Sequence, residues 1–232
     1  MIFKNHIFEN ILYESFFPLI LCTFVAKLFM ITKILSLFIV VCSLIGFSNP
    51  SIIEKYLFSP YLIKNYKQHY RFLSHAFFHA NFLHLFLNVW MLWTFGTILE
   101  EHNYPILFGE KLGRIYFLIL FTGGIYASSI VEYFKNKNNP NYASLGASGA
   151  IESIIFSFII INPFQWLYFF FIPMPAWVLG LLFLIFSFYM SKRKMPNDRI
   201  GHEAHFWGGI FGILFTFVVK PSLFKAYIDL IF

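Results

Sequence analysis

Long apolar runs separated by short polar stretches set the pattern of this chain. As a helix, an apolar run of ~20 residues covers the ~30 Å core of a bilayer, and about six runs approach that length. The first, Phe16 to Phe47, is interrupted by Lys27 and Lys33. At ~1.5 Å rise per residue it is too long for one upright helix. The span is therefore expected over Val25 to Phe47, with the lysines reaching to one interface and residues 1–24 forming an N-terminal, interfacial segment. Phe82 to Leu99 is the second span, closed by Glu100-Glu101, and Leu112 to Tyr133 is the third. The fourth begins at Ser148 and stops at Asn162-Pro163. Ala176 to Met190 is the fifth and Glu203 to Val219 the sixth. The pattern predicts an all-α polytopic membrane protein with one six-helix membrane domain over residues 25–220, and a tail, 221–232, too short to cross again.

The stretch from Ser48 to Asn81 follows another rule. It holds Pro50 and Pro60, then Tyr56, Tyr61, Tyr66 and Tyr70 beside Lys55, Lys64, Lys67 and Arg71. Aromatic and basic residues together suit the membrane–water boundary, so this first loop is expected to be interfacial. Trp166 to Pro175 reads as an aromatic, proline-broken link.

Composition agrees with lipid as the solvent. Of 232 residues, 59% are hydrophobic and 12% charged, where a soluble domain carries about a quarter charged residues. Lys4 is followed by Glu9 and Glu14 with no small-residue cleavage site, so the first span is expected to be retained. Cys22 and Cys42 sit in or beside that run and are expected to be inert apolar residues. The net charge of +6 suits anionic headgroups. With no soluble basic domain, it does not indicate a nucleic-acid partner.

Polar groups inside spans are costly and face the bundle interior. His84 and Asn88 lie four apart on one face of the second span, as do Ser148 and Glu152 on the fourth. His205 shares the sixth span with Gly208, Gly209 and Gly212, a smooth face that lets another backbone approach. Packing the fourth span on the sixth, with Gly149 against those glycines, brings Ser148 to His205. A histidine there takes the serine proton and activates the hydroxyl. Asn88, His84 and the free N–H groups at the head of the Ser148 helix surround a developing oxyanion.

These residues carry a family resemblance from about Arg71 to Gly212. It rests on Arg71, His79 followed by His84-xxx-Asn88, Gly96 with Glu100, Gly146-Ala147-Ser148-Gly149, and Ala204-His205-xx-Gly208-xxx-Gly212, in order. The chain resembles the rhomboid intramembrane serine proteases. The resemblance implies a six-helix rhomboid-like bundle and a Ser–His dyad. Ser148 would be the nucleophile and His205 the base and acid, with His84, Asn88 and the Ser148 N–H as oxyanion donors. His79, Arg71, Glu100, Gly149, Gly208 and Gly212 would be structural. The implied reaction is hydrolysis of a peptide bond in or near a transmembrane segment of a membrane-protein substrate, without metal or cofactor. Such substrates carry a small residue before the cut and a helix that unwinds. The implied setting is a multi-pass position in a bacterial-type inner or plasma membrane.

One position departs from the family pattern. Four residues after the nucleophile, where the family often has an aromatic or small residue against the histidine, this chain has Glu152. Two roles stand open: a carboxylate held by water or another polar group, or a third member that orients His205 as the buried Asp of a triad does. Orientation is open too. The resemblance puts the N-terminus in the cytoplasm and the Ser148 mouth outside, whereas the distribution of Lys and Arg favours the reverse. The fifth span and the loop Ser191 to Gly201 are the candidate gate for substrate.

Two other functions fit parts of the pattern. His75-xxx-His79, His84 and His202-xx-His205 resemble histidine boxes of membrane metalloenzymes. However, the zinc motif needs histidines four apart, and His202 and His205 are three apart. The second is a catalytically silent rhomboid-like protein that binds membrane-protein clients. Such proteins lack one or both dyad residues, and this chain has Ser148 and His205.

Overall fold

Apolar helices form the frame of the computed structural model, which describes residues 30–169, 171–193 and 201–231. Helix α1 spans Ile31–Ser48. Three short helices follow, α2 Pro50–Tyr56, α3 Pro60–Tyr66 and α4 Arg71–Ser74, the last continued by a 3₁₀ turn His75–Phe77. Then come α5 Phe82–Phe108, α6 Glu110–Asn136 and α7 Ser148–Ile161. A hairpin of β1 Trp166–Phe169 and β2 Ile172–Pro175 leads to α8 Ala176–Lys192, α9 His202–Val219 and α10 Pro221–Ile231. Helices α1, α5 and α6 are each long and apolar enough to cross a bilayer. Helix α9 qualifies together with α10, which bends away from it by 97°, and α7 and α8 are shorter apolar helices.

The helical class and the order of the apolar helices agree with the sequence pattern, with two departures. The interfacial segment 1–24, Cys22 and Lys27 lie outside the described residues, and so do residues 194–200 of the candidate gate. The aromatic link is an antiparallel hairpin, Trp166 opposite Pro175 and Phe169 opposite Ile172, so the chain is not purely helical. Finally, the second apolar helix does not end at Glu100-Glu101. It runs on to Phe108 through two π-helical turns, Leu92–Gly96 and Leu99–Asn103. Pro105, in the turn after the second of these, lacks the N–H a regular helix would use, and helices absorb such a defect as a π-bulge.

The first loop is a chain of capped helical turns. Asn49 and Ser59 accept from the backbone N–H of Ser51 (3.2 Å) and Leu62 (3.4 Å), and Pro50 and Pro60 take the first helical position. Cap followed by proline is the usual start signal of a helix. The buried Arg71 guanidinium then ties the loop together. It donates to the carbonyls of Glu54 (3.0 Å) and Leu57 (2.7 Å) at the end of α2, and to Gln68 Oε1 (2.6 Å). A cation there suits the carbonyl-rich end of a helix.

Glu100 is buried and serves α1. Its carboxylate accepts from Ile31 N (2.7 Å), Thr32 N (2.8 Å) and Thr32 Oγ1 (2.7 Å). Met30, at the cap position, offers no side-chain bond, so Glu100 closes the orphan N–H groups of α1 from another helix. Lower in the bundle, Tyr104 Oη meets Ser157 Oγ (2.8 Å), which accepts from Thr216 Oγ1 (2.7 Å). This chain of hydroxyls joins α5, α7 and α9 where apolar packing alone would leave their rotation free.

Candidate active site

Ser148 is the first residue of α7, so its own N–H and the next two have no partner within the helix. Before it, the chain turns at Gly146, whose φ of +116° is left-handed territory open to glycine. A side chain at Gly146 would also strike the His84 ring, at 2.7 Å from Cε1 and 2.9 Å from Nε2. The glycine therefore sets His84 directly beside the turn that delivers Ser148. Backbone bonds hold this turn to the first loop: Gly146 N to His75 O (3.0 Å), and a two-way bridge between Phe58 and Ser144 (3.0 and 3.1 Å).

Helices α7 and α9 meet through backbone. A Cβ on Gly208 would lie 2.9 Å from Gly149 Cα, and one on Gly212 would lie 2.8 Å from Ser153 Cα. Both partner pairs step by four residues in the same sense, so the helices run in the same direction with their N-terminal ends together. Ser148 and His205 sit at those ends. On its other side Gly149 abuts Ser128 of α6. Helix α6 runs on to Asn136, about 12 Å past that level at 1.5 Å per residue. The serine is thus recessed below the end of its neighbour.

Ser148 and His205 face one cavity of about 950 Å³, and His84, Asn88, Gly149 and Glu152 line it too. No hydrogen bond joins Ser148 Oγ to His205 in this arrangement. Asn88 is buried and donates through Nδ2 to the His84 carbonyl (2.8 Å), while its Oδ1 makes no hydrogen bond among the described residues. An amide nitrogen carries two hydrogens, so one stays available to the cavity. Asn81 caps α5 by accepting from His84 N (2.8 Å), which fixes where both side chains emerge.

His79 is fully buried, with Nδ1 3.0 Å from Ser43 Oγ of α1 and its ring edge-on to His84 at 4.8 Å between centroids. It backs His84 and does not line the cavity. Burial, with the nearby His84, holds its imidazole down to about 3. His75 donates from Nδ1 to Arg71 O (2.9 Å), and burial lowers it to about 4. Burial also lowers the Arg71 guanidinium.

Several contributors carry no motif. Phe183 of α8 lies nearly parallel to the His205 ring, 17° and 6.0 Å between centroids, yet it is one of 34 phenylalanines. The hairpin residues Leu167, Tyr168 and Phe169 also line the cavity. Glu132 of α6 is buried on the cavity wall and accepts from Ser144 Oγ (3.3 Å). The rule that singles out ionisable residues in apolar spans applies to Glu132 as well and would have found it. Lys135 and Glu203 form an ion pair between α6 and α9 near the same rim. Among the described residues no three histidine, cysteine or acidic side chains converge as a metal site requires.

The recessed, glycine-packed serine thus sits in a frame of apolar helices, three or four of which, among the described residues, are long and apolar enough to cross a membrane. The rhomboid domain family model matches residues 66–222, and the chain belongs to the rhomboid family. It is 27% identical over 168 residues to Rhomboid-related protein 1 of Caenorhabditis elegans, covering 69% of this chain and 42% of that protein. It is 26% identical over 162 residues to Rhomboid protein 1, mitochondrial, of Saccharomyces cerevisiae, with 66% and 42% covered. Rhomboid-like protein 11, chloroplastic, of Arabidopsis thaliana is 25% identical over 179 residues, with 70% and 56% covered. The chain thus spans about half the length of these relatives or less. Two of the three are named for a mitochondrion or a chloroplast, which gives no support to the bacterial-type membrane expected from the sequence.

Proposed function

We propose that this protein is an intramembrane serine endopeptidase that cleaves transmembrane segments of other membrane proteins. The observation that carries the proposal is the backbone contact of Gly149 with Gly208. That contact holds the heads of α7 and α9 together, so that Ser148 and His205 share a cavity with His84 and Asn88. In this scheme α1, α5, α6, α7, α8 and α9 are the six spans, with residues 48–81 at the interface.

His205 takes the proton from Ser148 Oγ as the oxygen attacks the scissile carbonyl carbon. The negative charge that develops on the carbonyl oxygen is met by the Ser148 N–H, the second amide hydrogen of Asn88 and the His84 ring. Donors fixed in place before the reaction need no reorganisation when the charge appears. The histidine then passes its proton to the leaving amine, and a water repeats the cycle on the acyl-enzyme. No metal or cofactor takes part. A substrate helix must unwind to expose its carbonyl to a recessed serine, which favours segments with small residues near the cut.

Labelling with a fluorophosphonate serine probe tests the proposal. The wild type is expected to label, and Ser148→Ala and His205→Ala are expected not to. Equal labelling of all three overturns the dyad. Failure of the wild type to label would instead favour a catalytically silent, client-binding member of the family.

A further inference from the structure

The structure places a carboxylate where a dyad has none. Glu152 lies one turn after Ser148 on the same face of α7, is buried at 8% exposure, and lines the cavity. Its Oε1 stands 3.7 Å from His205 Nδ1. Among the described residues its carboxylate accepts no hydrogen bond. A second contact to the imidazole comes from α8, where Phe183 lies nearly parallel to the ring. The aromatic contact to the histidine is thus supplied from another helix, and the position after the nucleophile is left to an acid.

We propose that Glu152 is a positioning residue for His205, so that this site works as a Ser148–His205–Glu152 triad. The inference rests on the protease reading above. Because Nδ1 faces the carboxylate, the tautomer with hydrogen on Nδ1 is favoured and Nε2 is left unprotonated for the serine. The distance of 3.7 Å is longer than a hydrogen bond. It is also too short for a water in line, since two bonds of ~2.8 Å through a water separate their ends by about 4.5 Å. Contacts of this kind are often loose in the free enzyme and tighten when the reaction complex forms.

When His205 accepts the Ser148 proton on Nε2, the ring becomes cationic and its Nδ1–H donates to Glu152. Glu152 takes no proton in this step. The Nε2 proton leaves with the amine, and the ring returns to its starting form. The other titratable groups around His205 are His202 on its own helix, 6.4 Å between ring centroids, His84 from α5 and Glu132 from α6 across the cavity. From α8, Phe183 faces the ring. Glu152 is the acid in ion-pair range.

The test measures the rate of fluorophosphonate labelling against pH for the full chain in detergent. Glu152→Gln keeps the volume and removes the charge. It is expected to slow labelling by roughly 10²-fold, the low end of acid–base effects, and to move the acid limb of the profile to lower pH. Glu152→Asp is expected to recover part of the rate and the wild-type limb. Ser148-dependent labelling with unchanged rate and profile in Glu152→Gln overturns the triad alone. Labelling that persists in Ser148→Ala, or is absent from the wild type, overturns the protease reading and the triad with it. A readout independent of any Glu152 variant is nitrogen-15 NMR of His205 in the wild type, assigned with His205→Gln. Hydrogen on Nδ1 is expected at neutral pH, and hydrogen on Nε2 overturns the proposal.

Discussion

Gly208 of α9 lies so close to Gly149 of α7 that a Cβ added at 208 would fall 2.8 Å from the Gly149 carbonyl carbon and closer still to its oxygen. Backbone cannot yield as a flexible side chain does. Gly208→Ala is therefore expected to push the helices apart and to destabilise the protein by about 1–3 kcal/mol, the usual cost of overpacking. Because Ser148 and His205 sit at the heads of these helices, labelling should fall more than stability alone explains. Thermal unfolding in detergent and probe labelling at a temperature where the variant stays folded check both parts. A wild-type melting temperature would show that the helices can separate without cost.

Glu100 gives α1 its cap from a distance, through three accepted hydrogen bonds. Glu100→Gln keeps the shape but removes the charge and turns one acceptor into a donor facing N–H groups. A loss of about 1–3 kcal/mol is expected, in the range of buried bonds to a charged group. The site is remote, so labelling per folded molecule should stay near wild type. Loss of labelling at full stability would give Glu100 a role other than capping.

Asn88 and His84 carry the oxyanion assignment. Removing one such donor typically costs about 10²–10³ in turnover. Asn88→Ala is expected to lower cleavage of a model transmembrane substrate by that order, mainly in kcat, with KM little changed. An effect confined to KM would assign Asn88 to substrate binding.

His75 and His79 couple stability to pH. Burial lowers the His75 imidazole from its ordinary 6.5 to about 4, and at ~1.4 kcal/mol per pKa unit that amounts to about 3 kcal/mol. The unfolded chain binds the proton near pH 6.5 and the folded chain does not until about pH 4, so stability falls as pH falls through this window. His79 extends the lower edge to about 3. Melting temperature measured from pH 7 to pH 4 should drop steadily, and His75→Gln should flatten the curve. A flat wild-type curve would mean that both rings stay hydrated.

Much of the site was legible because its residues break the local rule. A serine between glycines, a His-xxx-Asn face and a histidine on a glycine face all stand out against lipid-facing leucine and phenylalanine. The same rule, applied to every span, covers Glu132. The helix starts at Asn49-Pro50 and Ser59-Pro60 follow the local rule of a cap before a proline, but reading this stretch as an interfacial loop passed over them. The course of α5 past Glu100 was not legible, since a glutamate pair reads as a span end unless its partner is known. That partner is the N-terminus of α1, far away in sequence, and no local pattern records it.

The sequence by itself determined the solvent, the helical class, the order of the apolar helices and the family, because these depend on composition, period and spacing along one chain. It also named Ser148 and His205, since each is an exception within its own helix. Only the tertiary structure decided which groups surround them. The stacking of Phe183 on His205, the placing of His84 beside Gly146, the polar chain Tyr104–Ser157–Thr216 and the approach of Glu152 to Nδ1 each join residues from different parts of the chain. Such relations depend on how helices rotate and dock, and that is set by packing of the whole bundle.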